Sequence, residues 1–137
     1  MNNLAAIKTI QHLQTVLESI PAITTNMREF TDHFFAPGIY LRTLFIPKGF
    51  ILVGAIHKYD QLNIVLKGKV SVVNSYGEKI TAEAPFIFKA KAGQKAGYAI
   101  TDVWYAGIFP NVNNVTDIKQ LENEHTALNY NELEIQS

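Results

Sequence analysis

The feature that most constrains the fold is a run of short, strand-like segments between residues 38 and 109. They are rich in β-branched and aromatic residues, and turn signals such as Pro47-Lys48-Gly49 and Ser75-Tyr76-Gly77 separate them. Parallel strands need long crossovers, so about eight such strands without helices between them predict an antiparallel sandwich or barrel. The predicted strands are Ile39–Ile46, Phe50–His57, Leu62–Leu66, Val70–Asn74, Glu78–Thr81, Phe86–Phe88, Gly97–Ile100 and Val103–Phe109.

Helical patterns flank these strands. Residues 3–20 carry one apolar stripe at spacings of three and four, which predicts an amphipathic helix that ends before Pro21. A shorter pattern predicts a second helix over residues 115–126. The sequence therefore predicts a mainly β protein with an N-terminal helix and linker (1–36), one antiparallel β-barrel (37–109) and a short C-terminal helix with a tail (110–137).

The stripe of the N-terminal helix needs a surface to cover it. It could pack on its own domain, or it could be shared across a dimer interface. Because the barrel already has its own core, we expect residues 4–20 to mediate association, most simply into a homodimer.

Composition excludes several classes of protein. The 137 residues suit one domain, and 47% hydrophobic residues suffice for a core. Without cysteine the chain has no disulfides, thiolate nucleophiles or cysteine zinc sites. A net charge of zero argues against nucleic acid as a partner, and no apolar run has the roughly 20 residues of a membrane span. The start Met1-Asn2-Asn3 does not look like a signal peptide, so we expect a cytoplasmic protein.

The charge is unevenly distributed along the chain. Residues 37–109 hold nine basic and four acidic residues, a net charge of +5, whereas residues 1–36 carry −1 and residues 110–137 carry −4. One interpretation is an ordinary solvated surface with an acidic tail. The other is a central module biased toward an anionic ligand.

One stretch resembles the first motif of the cupin superfamily, the RmlC-like jelly rolls. That motif runs glycine, five residues, His-x-His, three or four residues, glutamate, six residues, glycine. Both glycines and one histidine match, while alanine and glutamine replace the other histidine and the glutamate; the positions are Gly49, Ala55, His57, Gln61 and Gly68. In the second motif only Gly93 matches, and Ala96 stands at the histidine position. The resemblance covers residues 37–109 and implies a jelly-roll barrel.

The departures from the motif bear on cofactors. A cupin metal is held by three histidines and a carboxylate, and His57 alone remains here, beside the weak ligand Gln61. We therefore expect neither a metal nor another cofactor. The segments His33-Phe34-Phe35-Ala36-Pro37-Gly38 and Gly97-Tyr98-Ala99 also resemble small cupin-like proteins of tailed bacteriophages, which implies the host cytoplasm as the location.

The cupin register, with alternation along each strand, predicts which side chains face the interior. They are Ala55, His57, Gln61, Asn63, Ala96 and Tyr98. Such a lining offers hydrogen bonds and space, and Lys58, Lys95 and Arg42 are candidate partners for an anionic group. Each polar residue could equally belong to a buried structural network.

Three functions remain open. The first, which we favour, is a metal-free binding module for a small anionic molecule or a host protein, as a phage accessory protein. The second is a metal-free enzyme acting on a sugar or nucleotide-sugar, with His57 as the base and Asp60 to orient it. The third is a structural, oligomeric component of a virion.

Overall fold

We analysed a computed structural model, which describes residues 3–18 and 30–130. The helices are α1 (Leu4–Glu18) and α2 (Ile118–His125). The strands are β1 (Thr31–Ala36), β2 (Gly38–Ile46), β3 (Ile51–Val53), β4 (Ile56–His57), β5 (Gln61–Lys67), β6 (Lys69–Asn74), β7 (Lys79–Glu83), β8 (Phe86–Ala90), β9 (Lys95–Ala99), β10 (Val103–Asn111) and β11 (Thr126–Ala127).

Two antiparallel sheets face each other. The first has the order β1-β2-β10-β5-β8 and the second β3-β9-β6-β7, while β4 and β11 form a separate pair. Apolar side chains from both sheets meet between them; the buried members are Ile46, Val65, Val70, Val72, Ala82, Ala99 and Val103. The prediction of a mainly β, antiparallel protein with flanking helices is confirmed.

Two details differ from the predicted strands. The segment Phe50–His57 is two short strands with different partners. β3 pairs with β9, a pairing that the Gly54 N–H extends by donating to the Lys95 carbonyl at 2.9 Å, whereas β4 pairs with β11. The residues assigned to a linker also hold β1, which pairs with β2 along its whole length. Gly38, at a φ of +77°, makes the tight connection between them.

The second helix is shorter than residues 115–126. It begins after Asp117, whose carboxylate accepts a hydrogen bond from the Gln120 N–H at 3.1 Å. The chain then returns as β11, which pairs with β4, so that Thr126 lies opposite His57. Residues 126 and 127 thereby become part of the structure around His57.

The N-terminal helix lies against its own domain. Ile10, in the middle of its stripe, is buried, and the Gln94 amide donates to the Gln14 side chain at 2.9 Å. These contacts agree with the first of the two alternatives for the stripe, while association through residues 4–20 stays a prediction. Ile20 and Pro21 lie outside the described residues. No helix in the described ranges is long and apolar enough to cross a membrane.

Candidate functional site

A cavity of about 100 Å³ lies between the two sheets. Part of its space exists because three lining positions, Gly54, Gly97 and Gly107, have no side chain. A larger outer cavity of about 660 Å³ adjoins it toward β1 and α2, and Arg42 and His57 line both. The inner cavity has room for a small chemical group, and the outer cavity has room for the rest of a larger ligand.

His57 is held in place by its backbone on both sides. The backbone N–H of His57 donates to the Gly93 carbonyl at 2.9 Å, and the backbone N–H of Gly93 donates to the His57 carbonyl at 2.9 Å. Its ring is 7% exposed and stacks on Phe109, with ring centroids 5.9 Å apart. Burial, followed by the charges of Lys95 and Arg42, lowers the pKa of His57 to about 3. The imidazole is therefore neutral at pH 7 and a weak base.

Two amides from β5 also line the cavity, as the alternation predicted. Asn63 is 2% exposed, and its Nδ2 donates to the Tyr105 hydroxyl at 2.7 Å. Burial raises the pKa of Tyr105, so this phenol stays protonated. The Asn63 Oδ1 and the Gln61 Oε1 are buried and have no hydrogen-bond partner among the described residues. Two acceptors in the lining are thus left open.

The positive charge of the site comes from Lys95 and Arg42, which both line the inner cavity. The Lys95 Nζ is buried and has no hydrogen-bond partner within residues 3–18 and 30–130. Burial, followed by the Arg42 charge, lowers the pKa of Lys95 to about 8. The Arg42 guanidinium carbon lies 5.4 Å from the centre of the Phe109 ring. Neither cation forms an ion pair with a described carboxylate.

Two residues predicted for the site lie elsewhere. Tyr98 is 46% exposed and is not among the lining residues, so its predicted orientation is wrong. It pairs with Ile51 and Ser71, whereas Gly97 pairs with Leu52 and Val72 and lines the cavity. The inward phase of β9 is therefore one residue away from the predicted register, which exchanges Tyr98 for Lys95.

Lys58 is the second residue outside the cavity. Its ammonium donates to the Asn123 carbonyl at 3.1 Å, near the end of α2. Ala55 lies in the break between β3 and β4 and lines the outer cavity instead of the inner one. Ala96, between Lys95 and Gly97, is buried and also lines the inner cavity, although the alternation that predicted this position has the wrong phase.

The proposed acid–base pair of His57 with Asp60 is not formed. Asp60 accepts a hydrogen bond from the Ala92 N–H at 2.8 Å and lies 3.2 Å from the Lys89 ammonium. The Ala92 hydrogen bond is the main reason that the pKa of Asp60 is lowered. Asp60 therefore fixes the turn before β9, and it does not orient His57.

A metal does not fit the side chains at this site. No group of three or more His, Asp or Glu side chains in the described parts of the chain could hold an ion. The unpaired ammonium of Lys95 and the guanidinium of Arg42 would also repel a divalent cation placed beside His57.

The two lining residues beside Asn63 were not predicted from the sequence. Tyr105 accepts the hydrogen bond of the Asn63 amide, and Gly107 lies next to the Asn63 Oδ1. The signal was present in β10, where alternation puts residues 103, 105, 107 and 109 on one face. By the same pairing Trp104 lies on the opposite face and is 44% exposed.

Comparisons with known proteins define the class of fold. No protein-family model matches the sequence, and no curated protein is significantly similar to it. KdgF from Halomonas sp. gives a TM-score of 0.52 at 17% identity, over 65% of this chain and 81% of that one. A cupin superfamily protein from Desulfitobacterium hafniense gives 0.50 at 12% identity, over 58% and 74%. Salmonella typhimurium EutQ, a putative ethanolamine utilization protein, gives 0.50 at 16% identity, over 61% and 69%.

These neighbours share the fold of this chain, and sequence identities of 12%, 16% and 17% show nothing beyond the fold. The chain is a cupin-type jelly roll, with an N-terminal helix and a short C-terminal helix added to it. The fold expected from the motif resemblance is thereby confirmed.

Proposed function

We propose that this protein is a metal-free, cupin-like binding module that holds a small anionic molecule between its two sheets. The observation that carries the proposal is the Lys95 ammonium, which is buried in the cavity wall without a partner. An unpaired cation in a poorly solvated site is unfavourable, and an anion beside it would offset that cost.

Arg42 supports the same ligand class. Arg42 lines both the inner and the outer cavity, and no described carboxylate is paired with it. The outer cavity is lined by one further cation, Lys119, and by one acid, Glu122. A ligand whose anionic group enters the inner cavity would meet two cations there and a mixed surface outside.

The setting that we propose is a phage accessory protein. It rests on the resemblance of residues 33–38 and 97–99 to cupin-like proteins of tailed bacteriophages. A function as an enzyme has less support, because the neutral His57 is a weak base and Asp60 is engaged with Ala92 and Lys89.

Isothermal titration calorimetry at pH 7 with a panel of small anions (acetate, propionate, lactate, inorganic phosphate) tests the proposal. We expect saturable binding of at least one anion and a loss of about tenfold or more in affinity for Lys95→Met, because a hydrogen bond to a charged group contributes about 1.5–3 kcal/mol. The matched control is Lys48→Met, which removes the same charge from an exposed turn and should bind like the wild type. If no anion binds, or if Lys95→Met binds equally well, the proposal is wrong.

A second prediction concerns metal content. The protein purified from its host is expected to contain no stoichiometric transition metal, because Ala55, Gln61 and Ala96 stand where the cupin motifs have ligands. Elemental analysis of the purified protein measures this directly. A content near one iron, zinc, manganese or nickel per chain would contradict the prediction.

A further inference from the structure

We propose that the anion is a small hydroxy acid, which carries a hydroxyl group beside its carboxylate. The inference rests on the proposed function, because it takes the position of the carboxylate at Lys95 and Arg42 as given. The inference adds a second group of the ligand, the hydroxyl, which the two cations do not specify.

The inference depends on two hydrogen-bond acceptors among the lining residues of the same cavity that lack a donor. The Gln61 Oε1 and the Asn63 Oδ1 are both buried, and neither has a donor among the described residues. A buried acceptor without a donor is unfavourable, so a ligand that donates to it gains affinity over one that does not. A plain carboxylate cannot do so, since it only accepts hydrogen bonds.

The Asn63 side chain is placed to receive such a donor. Its Nδ2 is occupied by the Tyr105 hydroxyl at 2.7 Å, which directs its Oδ1 to the other side. That oxygen faces Gly107, where a Cβ atom would lie 3.4 Å away from it. Gly107 and Asn63 both line the inner cavity, and a Cβ at Gly107 would also lie 3.2 Å from the Phe109 ring, so only a small donor fits beside this oxygen.

The charges of Lys95 and Arg42 favour a hydroxyl over an ammonium group as the hydrogen-bond donor of the ligand. An ammonium group would also satisfy the amide oxygens, but Lys95 and Arg42 line the same cavity and would repel it. A hydroxyl donates a hydrogen bond without carrying charge. The cavity of about 100 Å³ further restricts the buried part of the ligand to a few non-hydrogen atoms.

The test compares lactate with propionate, which differ by one hydroxyl group, by titration calorimetry of the full-length protein at pH 7. We expect lactate to bind about tenfold more tightly, because one buried hydrogen bond contributes roughly that ratio. Alanine, which replaces the hydroxyl by an ammonium group, should bind more weakly than lactate. Gln61→Met should reduce the ratio of lactate affinity to propionate affinity, and Gln11→Met on the exposed face of α1, which should keep the wild-type ratio, is its control.

The outcomes separate this inference from the proposed function. If both acids bind equally and both lose affinity in Lys95→Met, the anion site stands and the hydroxy-acid inference is wrong. If neither acid nor any other anion binds, the proposed function itself fails. Asn63→Leu is a second variant, and its thermal midpoint shows whether a lost preference reflects the ligand contact or a loss of fold.

Discussion

Lowering the pH from 6.5 to 4.5 is expected to reduce the free energy of unfolding by about 2 kcal/mol through His57 alone. The folded pKa of His57 is about 3, below the 6.5 of an exposed histidine. In this window the unfolded chain takes up a proton at this position and the folded chain does not, so stability falls as the pH falls. Burial also lowers the pKa values of His33 and His125, which adds to the same trend.

Urea denaturation at several pH values measures the effect, and His57→Gln should lose a large part of the slope between pH 6.5 and 4.5. Asp60 and Glu78, whose pKa values are lowered, add to the same trend at the acid end of this window, so the effect of His57 is the difference in slope between the wild type and His57→Gln. His12→Gln on the exposed face of α1 is the matched variant against which the change in slope is compared. A His57→Gln variant with an unchanged slope would show that the imidazole is protonated in the folded protein.

Replacing Lys95 by methionine is expected to raise the thermal midpoint by several degrees in a buffer without small carboxylates or phosphate. The variant removes a buried ammonium that has no partner among the described residues and leaves an apolar side chain of similar length. Exchanging buried charge for apolar side chains often stabilises proteins by about 1–4 kcal/mol. Lys95→Met should therefore gain thermal stability and lose anion binding at the same time, as expected where a functional residue destabilises the fold.

The same residue predicts a second signature in the wild type. The folded pKa of Lys95 is about 8, below the 10.5 of an exposed lysine, so between these values the unfolded chain binds more protons. Stability should then rise with pH from about 8 toward 9.5, and Lys95→Met should lack this rise. Differential scanning calorimetry of both proteins and of Lys48→Met tests it. A lower midpoint for Lys95→Met would mean that the ammonium stabilises the fold.

The fold was accessible from the sequence where strands are long and uninterrupted. The central strands β2, β5 and β10 were predicted to within two residues at each end, because their apolar residues and turn signals agree. β1 was missed because it was assigned to the linker before the Pro37-Gly38 turn, although it adds an edge strand to β2. The pair β4–β11 depends on a contact between distant segments, which local patterns do not contain.

The site was predictable to the same extent. Alternation placed Gln61 and Asn63 correctly because β5 has no irregularity between them, and the motif spacing placed His57. It failed at Tyr98, since the phase of β9 is set by its pairing with β3 and β6, and a shift of one residue reverses the faces of a strand. The missing partner of Lys95 follows from which carboxylates lie nearby in space, and the sequence alone does not give that.

Three glycines line the inner cavity, so backbone atoms set the width of the cavity at these positions. At Gly97 the nearest atom to an added Cβ would be a Val70 methyl at 3.7 Å, and at Gly54 it would be the Lys95 carbonyl oxygen at 3.7 Å, both ordinary contacts. At Gly107 the Phe109 ring would lie at 3.2 Å, which is tight. None of the three requires a positive φ, so a methyl group at Gly54 or Gly97 can narrow the chamber, whereas one at Gly107 requires the Phe109 ring to shift. Selection by ligand size is thus separable from selection by charge, and relatives of this chain could evolve the two independently.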